Sequence, residues 1–151
     1  MSIDLVQYRP PRIAMVLLAV ATLTNALIWL PIPLVYSPLY VSVLLAASGF
    51  TVMMVAWWQF RGSDVAICPT EPTVRLLTNG VYRFTRNPMY LGITMMLAAV
   101  ALAVGTVPFY VAALLFWLVA DRAFCTFEEI KLAASFGASY ESYRLRVRRW
   151  I

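Results

Sequence analysis

The apolar and polar positions of this 151-residue chain fall in long blocks, not in short alternations. No Asp, Glu, Lys or Arg occurs from Ile13 to Phe60, 48 residues, or from Asn87 to Ala120, 34 residues. Each run exceeds the ~18 apolar residues at which a membrane span becomes the expected reading. Pro31, Pro33 and Pro38, with Tyr36-Ser37 between them, break the first run. The pattern therefore predicts one helix over about Ile13–Leu30 and a second over about Leu39–Phe60. Gly105-Thr106-Val107-Pro108 divides the second run with a tight turn and a helix-starting proline. A third helix over about Pro88–Val104 and a fourth from Pro108 onward follow. At roughly 1.5 Å per residue such helices suit a hydrocarbon core about 30 Å thick. The expected fold class is all-α: a polytopic membrane protein with four transmembrane helices.

Composition strengthens this reading and removes several classes of function. Apolar residues make up 62% of the chain and charged residues 13%, against about 45–50% and about 25% in soluble domains. A soluble enzyme and a disordered tail are excluded. The net charge of +5 sits at the edges of apolar segments and not on a polar face, which excludes a nucleic-acid binder. With four spans, all twelve basic residues share one side, and the turns at Pro31–Pro38 and Gly105–Pro108 on the other side carry none. The positive-inside rule makes the charged side cytoplasmic, with both termini inside. In a bacterium this would be the inner membrane. Ala19-Val20-Ala21 resembles a signal-peptidase site, but the apolar run before it is too short and continues to Leu30, so no cleavable signal is expected.

The chain has no histidine, which removes the usual general base and the commonest metal ligand. Cys68 and Cys125 have neither metal-ligand nor CxxC spacing, and neither a metal site nor a structural disulfide is expected. The polar material lies in two blocks, Arg61–Asn87 and Asp121–Ile151, on either side of the hairpin of helices three and four. The hairpin brings the blocks together in space, so a site built from both is expected at the cytoplasmic face. The whole chain, 1–151, reads as one membrane-embedded domain, with a two-helix hairpin over 1–60 and the polar chemistry over 61–151.

In the first block, Asn79-Gly80 is a turn signal, and Asn87-Pro88 reads as an N-cap followed by proline at the first helical position. A helix N-terminus can hold an anionic group. Arg83 and Arg86 add charge there and Tyr82 and Tyr90 add aromatic faces, although arginines obeying topology and tyrosines in an interfacial belt explain the same residues. In the second block, Asp121-Arg122 stands at the membrane end of helix four and Glu128-Glu129 two turns later. At 100° per residue Asp121 shares a stripe with Glu128, and Arg122 with Glu129. Helix four is expected to run to about Ser135, with Gly137 as its left-handed end. Phe136, Tyr140, Tyr143, Val147 and Trp150 then have the 4-3-4-3 spacing of a C-terminal amphipathic helix, lying on the membrane with Arg144 and Arg148 toward lipid phosphates. Glu128-Glu129 suits either a solvated helix face or the binding of an ammonium or sulfonium cation.

In chain order, Thr78-Asn79-Gly80-Val81-Tyr82, Arg86-Asn87-Pro88-Met89-Tyr90-Leu91-Gly92, Glu128-Glu129, Phe136-Gly137-x-x-Tyr140-x-x-Tyr143 and Val147-x-Arg149 form a set. From Val74 to the C-terminus this resembles the isoprenylcysteine carboxyl methyltransferase family of integral membrane methyltransferases, related in pattern to the phospholipid N-methyltransferases. The resemblance implies an S-adenosylmethionine pocket facing the cytosol, roofed by the C-terminal helices, with a lipophilic substrate entering from the bilayer. It implies cofactor contacts at Val74, Arg75, Leu76, Leu77, Tyr82, Asn87, Pro88, Met89, Tyr90 and Glu128. Glu128, Glu129 and Arg122 are the candidate catalytic residues. Two positions depart from the family pattern: Asn87 stands where the family often has histidine, and Phe124 where animal members have a substrate-contacting arginine.

The expected reaction is in-line methyl transfer to a nucleophile delivered from the membrane. A carboxylate or thiolate acceptor needs no base, which the absence of histidine favours; an amine acceptor would pass its proton to Glu129 or a tyrosine. Amine methylation of a phospholipid head group is the alternative within the enzyme class, and a non-enzymatic helical scaffold the alternative outside it. The sparse polar residues of helices one and two, Thr22, Thr24, Asn25, Ser42, Ser48 and Thr51, are expected to make interhelical packing contacts.

Overall fold

A computed structural model describes residues 10–28, 39–61 and 76–151 of the chain. The described residues are helical, with α1 over Pro10–Leu27, α2 over Leu39–Arg61, α3 over Pro88–Val104, α4 over Val107–Val119 and α5 over Thr126–Arg146. A 3-10 turn, Gly80–Arg83, precedes α3, and a π-helical turn, Ala120–Cys125, joins α4 to α5. The turns at Pro31–Pro38 lie outside the described residues.

Local chemistry explains the boundaries. α1 begins three residues before the expected Ile13, because the adjoining Pro10-Pro11 suits a first helical turn, where no N–H is required. α2 ends at Arg61, whose guanidinium lies 5.1 Å from the ring centre of Trp57. α3 has the expected limits. Its stop is Gly105, at φ 69° and ψ 29°, a left-handed conformation that side chains disfavour. The Gly105 N–H donates to the Ala101 carbonyl at 2.8 Å, and Pro108 then starts the return helix.

Helices α1, α3 and α4 share a core of Ala14, Tyr90, Ile93, Leu97, Phe116, Ala120 and Phe124, continued by Ala21, Ala101, Phe109 and Ala112. α2 packs along the other side of α3, where Gly49 and Gly92 let the two backbones meet. A Cβ on Gly92 would stand 2.5 Å from the Gly49 carbonyl oxygen, and one on Gly49 would stand 2.8 Å from the Gly92 oxygen. Neither neighbour is a flexible side chain, so this crossing requires glycine on both helices. Small residues at helix crossings are how apolar helices associate where lipid removes the hydrophobic drive.

Among the described residues, three helical runs are long and apolar enough to cross a membrane: Pro10–Leu27, Leu39–Arg61 and the continuous Val107–Arg146. α3 is apolar throughout but shorter, at 17 residues. Of the six polar residues expected to make interhelical contacts, Ser42 is buried in the bundle, and three hydroxyls turn to their own helix instead. Thr22, Ser48 and Thr51 each donate to a carbonyl of their own helix, three or four residues back, at 2.8–2.9 Å. A hydroxyl on an apolar face finds its nearest acceptor in the preceding turn.

The crossing yields a stability test. Gly92→Ala should destabilise the protein by about 1–3 kcal/mol, the usual cost of overpacking, measured as a lower thermal midpoint in detergent. Ala26→Leu, on the exposed face of α1, should leave the midpoint unchanged.

Candidate functional site

The two polar blocks converge. The Tyr90 hydroxyl donates to Oε1 of Glu128, and the Tyr90 ring stacks on Phe124 at 5.8 Å with 26° between planes. The next residue, Glu129, is met by two arginines. Arg149 forks onto it through Nε at 2.8 Å and Nη2 at 2.7 Å, and Arg86 reaches it through Nη1 at 3.1 Å. Arg149 also donates through Nη1 to Asp121 Oδ1 at 3.0 Å, and the Trp150 indole donates to the same oxygen at 2.9 Å.

The expected stripes on helix four need correction. On a regular helix Asp121 and Glu129 differ by about 80°, and one guanidinium could not bridge them so closely. The π-turn Ala120–Cys125 takes up one extra residue, which reduces the difference to about 20°. Asp121 therefore lines up with Glu129, not with Glu128. Glu128 rotates toward α3 and meets Tyr90.

The C-terminal segment also differs from expectation. Gly137 breaks the helix as anticipated, but at φ 48° and ψ −124°, a region that glycine alone visits freely. The helix resumes and ends at Arg146, with Val147 extended at φ −122° and ψ 128°. The tyrosine stripe does not lie on a membrane. Tyr140, Tyr143 and Val147 are buried against Leu76, Leu132 and Phe136, and the Tyr143 hydroxyl donates to the Tyr82 carbonyl at 2.6 Å. Val147–Ile151 then runs as a strap across the turn before α3. The Arg148 carbonyl accepts from the Arg86 N–H at 3.1 Å. The Arg149 carbonyl accepts from Thr85 Oγ1 and from Asn87 Nδ2, both at 3.1 Å.

Asn87 occupies the N-cap position but makes no side-chain cap, because its amide is turned to the strap. Pro88 stands at the first position of α3, as expected. Tyr82, Asn87, Pro88 and Tyr90 are buried; Leu76, Leu77, Met89, Glu128 and Glu129 are half-buried. Val74 and Arg75 lie outside the described residues. Arg122 is not gathered with the other candidates. Its side chain is 79% exposed and its ion pair is with Asp121, at 3.4 Å. Arg149 was not among the expected site residues, although the Val147-x-Arg149 pair pointed to it. Its fixed spacing after the tyrosine stripe, with two acidic positions upstream, was the signal that could have found it.

Of the three carboxyls gathered here, Glu128 is the one whose ionisation is displaced upward. Burial pushes its carboxyl up to about 7, against the pull of the Tyr90 hydrogen bond and of Lys131. Burial likewise lifts the Tyr143 phenol to about 12. The Glu129 fork and the Asp121 contact hold the Arg149 guanidinium firmly protonated against its partial burial.

The family model for phospholipid methyltransferase matches residues 38–139. The chain belongs to that family. The match takes in α2, the first polar block and the second as far as residue 139, so it reaches further toward the N-terminus than the motifs do and stops before Tyr140 and the strap. A relative from Schizosaccharomyces pombe, a protein-S-isoprenylcysteine O-methyltransferase, is 37% identical over 75 residues. The alignment covers 48% of this chain and 30% of the relative, so less than a third of that protein is represented here. No solved structure matches.

The Tyr143 contact can be tested directly. Tyr143→Phe leaves the buried Tyr82 carbonyl without its donor, and should cost about 1–3 kcal/mol of stability. Thermal unfolding in detergent, compared with the exposed Arg146→Gln, measures it.

Proposed function

We propose that this chain is a membrane methyltransferase, not a scaffold, that uses S-adenosylmethionine to methylate a lipophilic acceptor, a carboxylate or thiol of isoprenylcysteine type, at the cytoplasmic membrane face. The observation that carries the reading is the contact of Tyr90 with Glu128, which joins the start of α3 to the first turn of α5. S-adenosylmethionine, when bound, supplies an electrophilic methyl group on a sulfonium centre.

The residues fit that molecule. It carries an ammonium, a sulfonium and a carboxylate, and therefore needs an acidic, an aromatic and an N–H-rich partner. Glu128 is a half-buried carboxylate suited to the ammonium. Tyr90 and Tyr82 offer aromatic faces for the sulfonium. The first turn of α3 has no side-chain cap, so its N–H groups suit the carboxylate. Leu76, Leu77 and Met89, with Val74 and Arg75 preceding them, complete the proposed lining in the 61–151 half. Holding both reactants in line can remove about 7–11 kcal/mol of barrier in favourable cases, and the site's work is mainly that positioning. Glu129, already met by two guanidinium groups, contributes architecture; Glu128 is the better proton acceptor. Arg122, exposed beside the membrane, is a candidate contact for the acceptor.

Four crossings with both termini inside remain the proposed topology. α3, at 17 residues, reaches the short end of the spanning range, and it forms a tight antiparallel hairpin with α4. Acceptor, bilayer lipids and cofactor would then meet on one side.

A second reading is methylation of an amine on a phospholipid head group. The family match names phospholipids, and a carboxyl near 7 at Glu128 can receive a proton at neutral pH. Radiolabelled methyl transfer to prenylcysteine and to total lipid extracts, run side by side, separates the two.

Cofactor binding tests the shared claim. Glu128→Gln and Tyr90→Ala should each weaken S-adenosylmethionine by about tenfold or more by calorimetry; unchanged affinity in both rejects the site. The pH dependence has a definite sign. Only the carboxylate attracts an ammonium, so wild-type affinity should fall as pH drops below about 7, by up to about tenfold per unit. Glu128→Gln should flatten that profile.

A further inference from the structure

Glu128 and Glu129 are adjacent in sequence but differently held. Glu129 has both oxygens engaged by Arg149 and receives Arg86 as well. Glu128 accepts from the neutral Tyr90 phenol, and the cation that acts on it is Lys131 on its own helix, not a guanidinium fork. The residue that creates this difference is Arg149. Its guanidinium uses Nε, Nη1 and Nη2, spanning Glu129, Asp121 Oδ1 and the Asp121 carbonyl at 2.7–3.2 Å. Its own carbonyl takes the Thr85 and Asn87 side chains. One residue thus ties the π-turn, the first turn of α5 and the segment leading into α3.

Resting on the cofactor reading above, we infer that Arg149 is a positioning residue for that site. It acts through Glu129 and Asp121 to hold the π-turn in register, which keeps Glu128 turned to Tyr90 as the carboxylate available to a cationic ligand. Three physical points support this. A planar fork fixes the direction of Glu129, which a single ammonium does not. The π-turn is the irregular element that aligns Asp121 with Glu129, and a guanidinium gripping both ends opposes its relaxation to a regular helix. The strap lies beyond the last helical residue, so its attachment depends on these contacts and not on helix continuity. The Trp150 bond to Asp121 and its ring contact with Trp117, at 6.1 Å between centres, close the same strap from the α4 side.

The test uses the full chain in lipid nanodiscs, with S-adenosylmethionine as the probe. Hydrogen exchange reads the tie without any ligand. Arg149→Met should speed amide exchange at 86–91 and 120–130 by about tenfold, and Arg149→Lys by less, since lysine restores the charge without the fork. Calorimetry reads the positioning. Arg149→Met should weaken the cofactor about tenfold, Arg149→Lys should recover part of the loss, and Glu129→Gln added to Arg149→Met should cost nothing more. Full affinity in Arg149→Met overturns the inference, and additive losses overturn the route through Glu129. A wild-type protein that takes up no cofactor overturns the proposed function. In that event the exchange arm still decides whether Arg149 ties the two segments, and unchanged exchange rejects it.

Discussion

Asp121 and Glu129 follow a charge-free stretch of 34 residues, and both carboxylates must be compensated at the edge of an apolar bundle. An uncompensated carboxylate in such surroundings costs several kcal/mol, on the order of 3–5 when a buried partner is removed. No basic residue in the preceding stretch can supply the compensation. Arg86 comes instead from before α3, and Arg149 from the C-terminus. The return of the strap over the turn before α3, the burial of the tyrosine stripe beneath it and the meeting of the two polar blocks all follow from that need. The hairpin makes the approach geometrically available, and the ion pairs select it.

Much of this was legible in the residues. Proline and glycine act on backbone dihedrals directly, so Pro88, Gly105, Pro108 and Gly137 marked true boundaries without tertiary information. The convergence of the two polar blocks followed from hairpin topology alone. The π-turn was not legible. Counting at 100° per residue assumes a regular helix, and an absorbed residue changes no amino-acid type; it reveals itself only when the acidic positions downstream are seen to face the wrong partners. The destination of the tyrosine stripe was equally hidden. Tyr140, Tyr143 and Val147 have the spacing of an interfacial helix, and spacing cannot distinguish a lipid surface from a turn of the same chain that offers a carbonyl to a phenol.

The first two helices have more to do with the site than their composition suggests. Gly49 against Gly92 sets how closely α2 and α3 approach. At the end of α2, Gln59 Oε1 accepts from the Val81 N–H at 3.3 Å, and its side chain occupies the space beside Gly80 that a Cβ would need. The 3-10 turn carrying Tyr82 is thus seated on α2, and the Tyr82 carbonyl is seated on Tyr143. Displacing α2 would shift both. The extent of the family match, from residue 38, agrees with α2 being part of the same working unit as the polar blocks.

The two departures from the family pattern bear on the same pair of segments. Asn87 spends its amide on the Arg149 carbonyl and leaves the start of α3 uncapped, so this position joins strap to helix without being titratable. Phe124 is fully buried and covers the Tyr90 ring. An arginine at that position would bring a positive charge within a turn of Glu128 and pull its carboxyl down toward the ordinary range. With phenylalanine there, burial dominates and the carboxyl stays near neutrality. Phenylalanine at this position therefore leaves Glu128 responsive to a cation that arrives beside it. A cationic ligand that draws Glu128 into its charged form would release a proton on binding below about pH 7, and ligand affinity and proton release would be linked at one residue.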